Sequence, residues 1–139
     1  MIIKREVYEQ MIYCHKVPPE VGGIMGGRNG IIDTIVIDKG NLTDTGIKYI
    51  PNVQLMNQYI QKWYMEKINF YGMFHTHLPQ WERLSRSDKK YIKKIMNHMP
   101  SEIECLYFPL VFPDYMIKSF RAVKRNGNIY VVNDNIKII

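Results

Sequence analysis

Apolar residues recur at helical spacing in three stretches of the chain. Tyr8, Met11, Ile12 and His15 mark a helix over residues 5–16, which Pro18-Pro19 ends. Val53, Met56, Ile60 and Trp63 predict a second helix from about Pro51 to Lys67. A third, more charged helix runs from about Arg86 to Met99 and buries Ile92, Ile95, Met96 and Met99. Between them lie β-prone runs. Val21 to Gly26 and Ile31 to Asp38 are joined around Asn29-Gly30, a pair that supplies the positive φ angles of a tight hairpin. Phe70 to His77 reads as a strand, and the C-terminal part as three strands over 103–112, 115–125 and 129–138, the final pair turning at Asn126-Gly127. Residues 39–50 are polar and loop-like. Helices interleaved with hairpins predict an α/β sandwich around a mostly mixed sheet.

Composition narrows the class. The chain has 139 residues, 46% of them apolar and 23% charged, which suits one globular domain over 1–139 and excludes extensive disorder. No internal repeat or linker divides it. No stretch approaches the roughly 18 uninterrupted apolar residues of a membrane span, and MIIKREVYEQ lacks the apolar core of a signal peptide. Two cysteines, Cys14 and Cys105, are too few for a disulfide scaffold, so a cytoplasmic location is the default and both read as small buried hydrophobes. The net charge of +6 raises nucleic acid or another acidic partner as a candidate.

The most informative segment is His75-Thr76-His77, followed by Ser85 and Asp88. On a strand, residues i and i+2 share a face, so His75 and His77 project side by side. Asp88 falls in the first turn of the next helix and can fold back against the strand end. Two histidines and one carboxylate make three protein ligands and leave a fourth tetrahedral position for water, as in catalytic zinc sites. The metal lowers the pKa of that water to about 7. A plainer reading stands beside this one: Ser85-Arg86-Ser87-Asp88 is a helix capping box, and the histidines are hydrogen-bonded neighbours on a half-buried strand. For the H-x-H pair and one distant Asp alone, the plainer reading is preferred. The two readings are compatible, since a capping hydroxyl accepts a backbone N–H and still has its own proton to donate.

Metal-assisted hydrolysis also needs a base that delivers the proton to the leaving amine. Glu20, in Pro18-Pro19-Glu20-Val21-Gly22-Gly23-Ile24-Met25-Gly26, is available, although by itself it reads as an exposed acid at a strand end. The glycines are no phosphate loop, because no Lys-Ser/Thr follows and a hairpin comes next.

Together, PPEVGGIMGG and HTH, then seven residues, Ser, two residues and Asp, resemble the signature of the JAMM (MPN-plus) metalloproteases, in the compact form of their prokaryotic JAB domains. The match spans Glu20 to Asp88. The resemblance implies a cytidine-deaminase-like α/β sandwich with a mixed central sheet flanked by helices and one zinc ion per chain. It implies hydrolysis of the peptide or isopeptide bond after the C-terminal glycine of ubiquitin or a ubiquitin-like protein. His75, His77 and Asp88 would hold the zinc, Glu20 would act as general base and acid, and Ser85 would help stabilise the oxyanion. Leu78 stands where the family often has proline, with Pro79 one place later. Every chemical position is filled, unlike in the family's inactive scaffold members. The regions that carry insertions in ubiquitin-chain-specific members, about 39–50 and 97–102, are brief. The resemblance therefore points to compact members that process a ubiquitin-like or sulfur-carrier protein with a glycine tail, or that act beside conjugation-pathway enzymes, and the residues do not decide between the two. Residues 39–50 are the candidate to pair with such a tail as an added strand.

Charge gains meaning in this setting. Six basic residues, Arg83, Arg86, Lys89, Lys90, Lys93 and Lys94, stand against one acid, Asp88, over 83–94, which accounts for +5 of the +6. The segment is either a solvated helix face or a surface for an acidic partner beside the metal. Lys118, Arg121, Lys124 and Arg125 read as protection of a sheet edge. Trp63 reads as core and Trp81 as a lining of the substrate groove, while His15 and His98 read as helix C-terminal caps. The alternatives are a RadC-like nucleic-acid-associated module, a small peptide or cysteine-conjugate hydrolase, and a partner-binding scaffold. Nucleic acid is the runner-up, since no aromatic-interleaved basic motif accompanies the charge.

Overall fold

Two Asn-Gly pairs fold the hairpins of the sheet. Asn29 and Gly30 take φ of 54° and 77°, and Asn126 and Gly127 take 50° and 77°, the paired positive angles that suit the right-handed twist of adjoining strands. The first pair joins β2 (Gly22–Arg28) to β3 (Ile31–Asp38), and the second joins β7 (Ile117–Arg125) to β8 (Asn128–Asp134). The computed structural model describes residues 1–14, 20–41 and 49–139. Its remaining elements are β1 (Ile2–Ile3), α1 (Arg5–Tyr13), α2 (Val53–Met65), β4 (Asn69–Thr76), α3 (Arg86–His98), β5 (Cys105–Tyr107), β6 (Leu110–Val111) and β9 (Lys137–Ile138). No helix among the described residues is long and apolar enough to cross a membrane.

The strands form one mixed sheet. Its order is β5-β7-β6-β4-β2-β3-β1-β9, with β8 on the far side of β7 and β5 also touching β4. β2 runs antiparallel to both β3 and β4, whereas β4 is parallel to β5 and β6. The run expected as one strand over 103–112 is thus two short ones in line, split at Phe108-Pro109, where proline has no N–H to give. Residues 129–138 split likewise, because β9 leaves β8 to pair with β1. β7 is interior, flanked by β5 and β6 on one side and β8 on the other. Its basic residues therefore do not guard an edge. Lys118 pairs with Glu82, Arg121 lies 3.8 Å from Asp134, and Lys124 Nζ donates to the Met99 carbonyl at the end of α3.

Alternation along the strands sends side chains into two cores. Ile24, Met73 and Leu110 join Met56 and Trp63 of α2 and Ile92 and Met96 of α3. Met25, Phe74 and Val111 join Val7 and Met11 of α1 with Ile3 and Ile32. The protein is therefore layered, with α2 and α3 on one face of the sheet and α1 on the other. Met73, His75 and His77 share the α3 face by their period of two, which decides where the site lies.

Candidate metal centre

The backbone of the H-x-H segment is fixed from both sides. His75 N–H donates to Pro109 O at 3.3 Å and His77 N–H to Val111 O at 2.9 Å. On the other side, Thr76 N–H donates to Val21 O at 2.8 Å. Thr76 is fully buried, and its Oγ1 accepts the Val21 N–H at 2.9 Å. Gly22 pairs with His75 in the register of β2 and β4, so extending that register by two places sets Glu20 across from His77.

α3 supplies the third group. Ser85 Oγ accepts the Asp88 N–H at 3.0 Å and Asp88 Oδ2 accepts the Ser85 N–H at 2.7 Å, so the expected capping box is present. Ile92 and Met96 seat the helix on the sheet and bring the capped end against β4. Asp88 Oδ1 lies 3.4 Å from His75 Nε2, and Asp88 Oδ2 lies 3.4 Å from His77 Nε2. The two Nε2 atoms are 2.9 Å apart.

These three side chains could hold a metal ion. A tetrahedral zinc with bonds of about 2.0–2.1 Å separates its ligand atoms by about 3.3–3.4 Å. Each imidazole lies at that spacing from one carboxylate oxygen, His75 from Oδ1 and His77 from Oδ2, while the imidazole pair is drawn closer. The donor set of two nitrogens and an oxygen suits zinc and also other divalent ions. His77 is fixed in orientation, because its Nδ1–H donates to Trp81 O at 2.7 Å and thereby turns Nε2 toward His75 and Asp88.

The charges of the cluster support one another. Burial disfavours the Asp88 carboxylate, but hydrogen bonds from both imidazoles and from Ser85 outweigh it and hold its pKa far below the usual carboxylate range. Burial likewise opposes a charge on His77, yet Asp88, the Trp81 carbonyl and the nearby Glu20 raise its pKa overall.

A cleft of about 890 Å3 opens over the cluster, lined by Glu20, Tyr49, His75, His77, Ser85 and Asp88 with apolar walls from Leu78, Trp81 and Phe108. All five residues expected from the sequence therefore face one cavity. Glu20 is half-buried at its rim and accepts the Tyr49 N–H at 3.4 Å. Trp81 is 60% exposed and lines the cleft as expected, with its carbonyl in the added role of holding His77.

Two residues escaped the sequence reading. Asp38 is buried and accepts from Gly40 N–H, Tyr49 Oη–H and Asn52 N–H, each at 2.8 Å. Tyr49 lies in the run read as a polar loop. The signal for Asp38 was its place two residues before Gly40, the spacing of an Asx turn. His15 and residues 42–48 of the expected tail-binding segment lie outside the described residues. Trp63 is core as expected, while Cys14 and Cys105 are only half-buried and free.

No family model matches the chain, and no curated protein does. Solved structures do. A protein from Desulfitobacterium hafniense, determined in solution, aligns over 100% of this chain and 93% of its own with a TM-score of 0.66 and 16% identity. A JAB1/MPN domain protein from Archaeoglobus fulgidus aligns over 100% of this chain and 99% of its own with a TM-score of 0.58 and 14% identity. The fold is MPN-like. In this MPN-like fold the possible metal site sits where β4 ends and α3 begins, on the α2–α3 side of the sheet.

Proposed function

We propose that this chain is a zinc-dependent metallo-(iso)peptidase of the JAMM type, built on a cytidine-deaminase-like sandwich. Its substrate is the bond after the C-terminal glycine of a ubiquitin-like or sulfur-carrier protein, and its setting is the cytoplasm. The observation that carries the reading is the meeting of His75, His77 and Asp88 in one cleft with Glu20. The MPN-like fold agrees with it.

In this reading His75, His77 and Asp88 hold zinc, which when bound supplies Lewis acidity and a water acidic enough to attack near neutral pH. Glu20 takes the proton of the attacking water and passes it to the leaving amine. Ser85 Oγ accepts the Asp88 N–H, and its hydroxyl, which faces the Asp88 carboxylate in the metal-free protein, would turn its proton to the developing oxyanion. Leu78, Trp81 and Ile50 wall the cleft and take the extended tail. The test is a panel of fusions to glycine-terminated ubiquitin-like proteins, incubated with and without chelator. Chelator-sensitive cleavage after the glycine is expected; a panel left intact by zinc-loaded protein overturns the reading.

A second reading has its own support. Arg83, Arg86, Lys89, Lys90, Lys93 and Lys94 are all exposed and make no ion pair among the described residues. A RadC-like nucleic-acid-associated module predicts salt-dependent DNA binding that survives zinc removal.

A further inference from the structure

The two imidazoles of the cluster are held by different means. His77 has its Nδ1–H on a main-chain carbonyl. Among the described residues His75 Nδ1 has no hydrogen bond, although a ligating histidine ordinarily uses that second nitrogen to fix its ring. The His75 ring meets the His77 ring edge-on at 4.7 Å between centroids, and its face is turned to the Tyr49 ring, 6.4 Å between centroids and 20° from parallel.

Tyr49 is itself tightly fixed. Its hydroxyl donates to buried Asp38 Oδ2 at 2.8 Å, and its ring lies against two glycine backbones. A Cβ on Gly22 would stand 2.4 Å from Tyr49 Cε1, and one on Gly40 would stand 2.9 Å from Cδ2. Side chains at those positions would displace the ring. Its N–H reaches Glu20 Oε2 at 3.4 Å. Burial, and then the Asp38 carboxylate, raise the Tyr49 pKa well above the ordinary phenol range, so the hydroxyl stays a donor. Asp38 also accepts from Gly40 and Asn52 N–H and thereby ties both flanks of the 40–52 segment to the end of β3.

We infer that Asp38 and Tyr49 are positioning residues, in which Asp38 fixes the Tyr49 ring and that ring orients His75, whose Nδ1 no other described residue engages, while the Tyr49 N–H steadies Glu20. The inference rests on the metal reading above. It makes the support of the site asymmetric: a main-chain carbonyl for one histidine and a pinned aromatic ring for the other.

Zinc affinity, measured by competition with a chromogenic chelator, tests it, together with thermal unfolding of the metal-free protein. Tyr49→Phe keeps the ring and loses its anchor, and is expected to weaken zinc binding several-fold. Tyr49→Leu removes the ring and is expected to weaken it by about 10–100-fold, the range for lost outer-shell partners. Tyr91→Phe, at the other tyrosine lining the cleft, should stay within about twofold of wild type, below the effect of a lost outer-shell partner. In 15N spectra of metal-free Tyr49→Leu, the His75 ring signals should move and those of His77 should stay. A purely structural Tyr49 would lower the unfolding temperature and leave zinc affinity unchanged in both Tyr49 variants, which overturns the inference alone. Wild-type protein that takes up no zinc overturns this inference and the metal reading together.

Discussion

Ser85 and Asp88 cap one another, and the carboxylate that closes this box is the same one that faces both imidazoles. Helix stability and the possible metal site therefore share a side chain. Ser85→Ala is expected to destabilise the metal-free protein by about 0.5–2 kcal/mol, the usual cost of a lost N-cap, with Ser85→Thr recovering most of it. Denaturant unfolding with chelator present measures both. An unchanged midpoint for Ser85→Ala would show that the cap contributes nothing.

Asp88 and His77 give the metal-free protein a pH dependence of two signs. The Asp88 pKa is lowered, so its contribution to stability is present above the ordinary carboxylate pKa of about 4 and is lost as pH falls toward the folded-state value. The His77 pKa is raised, so its contribution is complete below about 6.5 and is lost as pH rises through the folded-state value. Zinc binding needs neutral imidazole and so goes the opposite way. Metal-free thermal stability should decline across neutrality while the rise produced by zinc grows. Scans at stepped pH, with zinc and with chelator, read both trends.

Glu20 is not among the three converging ligand groups. Glu20→Gln should therefore retain about one zinc per chain and lose about 10²–10⁴-fold in turnover, the span for a missing general base. Metal analysis and cleavage of the glycine-tailed fusions separate the two effects, and normal cleavage by this variant would sink the proposed mechanism.

Trp81 holds His77 through its carbonyl, while its indole stands in the cleft. Trp81→Ala preserves the carbonyl, so zinc affinity should remain near wild type. KM should rise by roughly tenfold, as removal of a large apolar contact surface implies. A parallel loss of zinc would show that the side chain, and not only the main chain, positions His77.

The H-x-H pair, the capping box and the hairpin at Asn29-Gly30 were legible because each is a local rule: a period of two, a three-residue spacing, a dipeptide with positive φ. The α3 face was legible in the same way, and Met96→Ala there should cost about 2–5 kcal/mol as a fully buried truncation. What stayed hidden depends on distant neighbours. β1 is two residues long and is a strand only because β3 and β9 flank it. Charge on β7 suggested an edge, but β8 covers it. Tyr49 follows no periodic pattern, and its importance comes from Asp38 and His75, eleven residues before it in sequence and twenty-six after.

Thr76 carries a consequence beyond its burial. By exchanging hydrogen bonds with Val21, it makes the separation of Glu20 from the two histidines a property of strand pairing. The distance between the proposed base and the proposed ligands is set by one rung of a β-ladder, as marks on a ruler are set by its grain. Substitutions in the surface segments around the cleft then leave untouched the spacing on which the proposed chemistry depends, because that spacing belongs to the sheet.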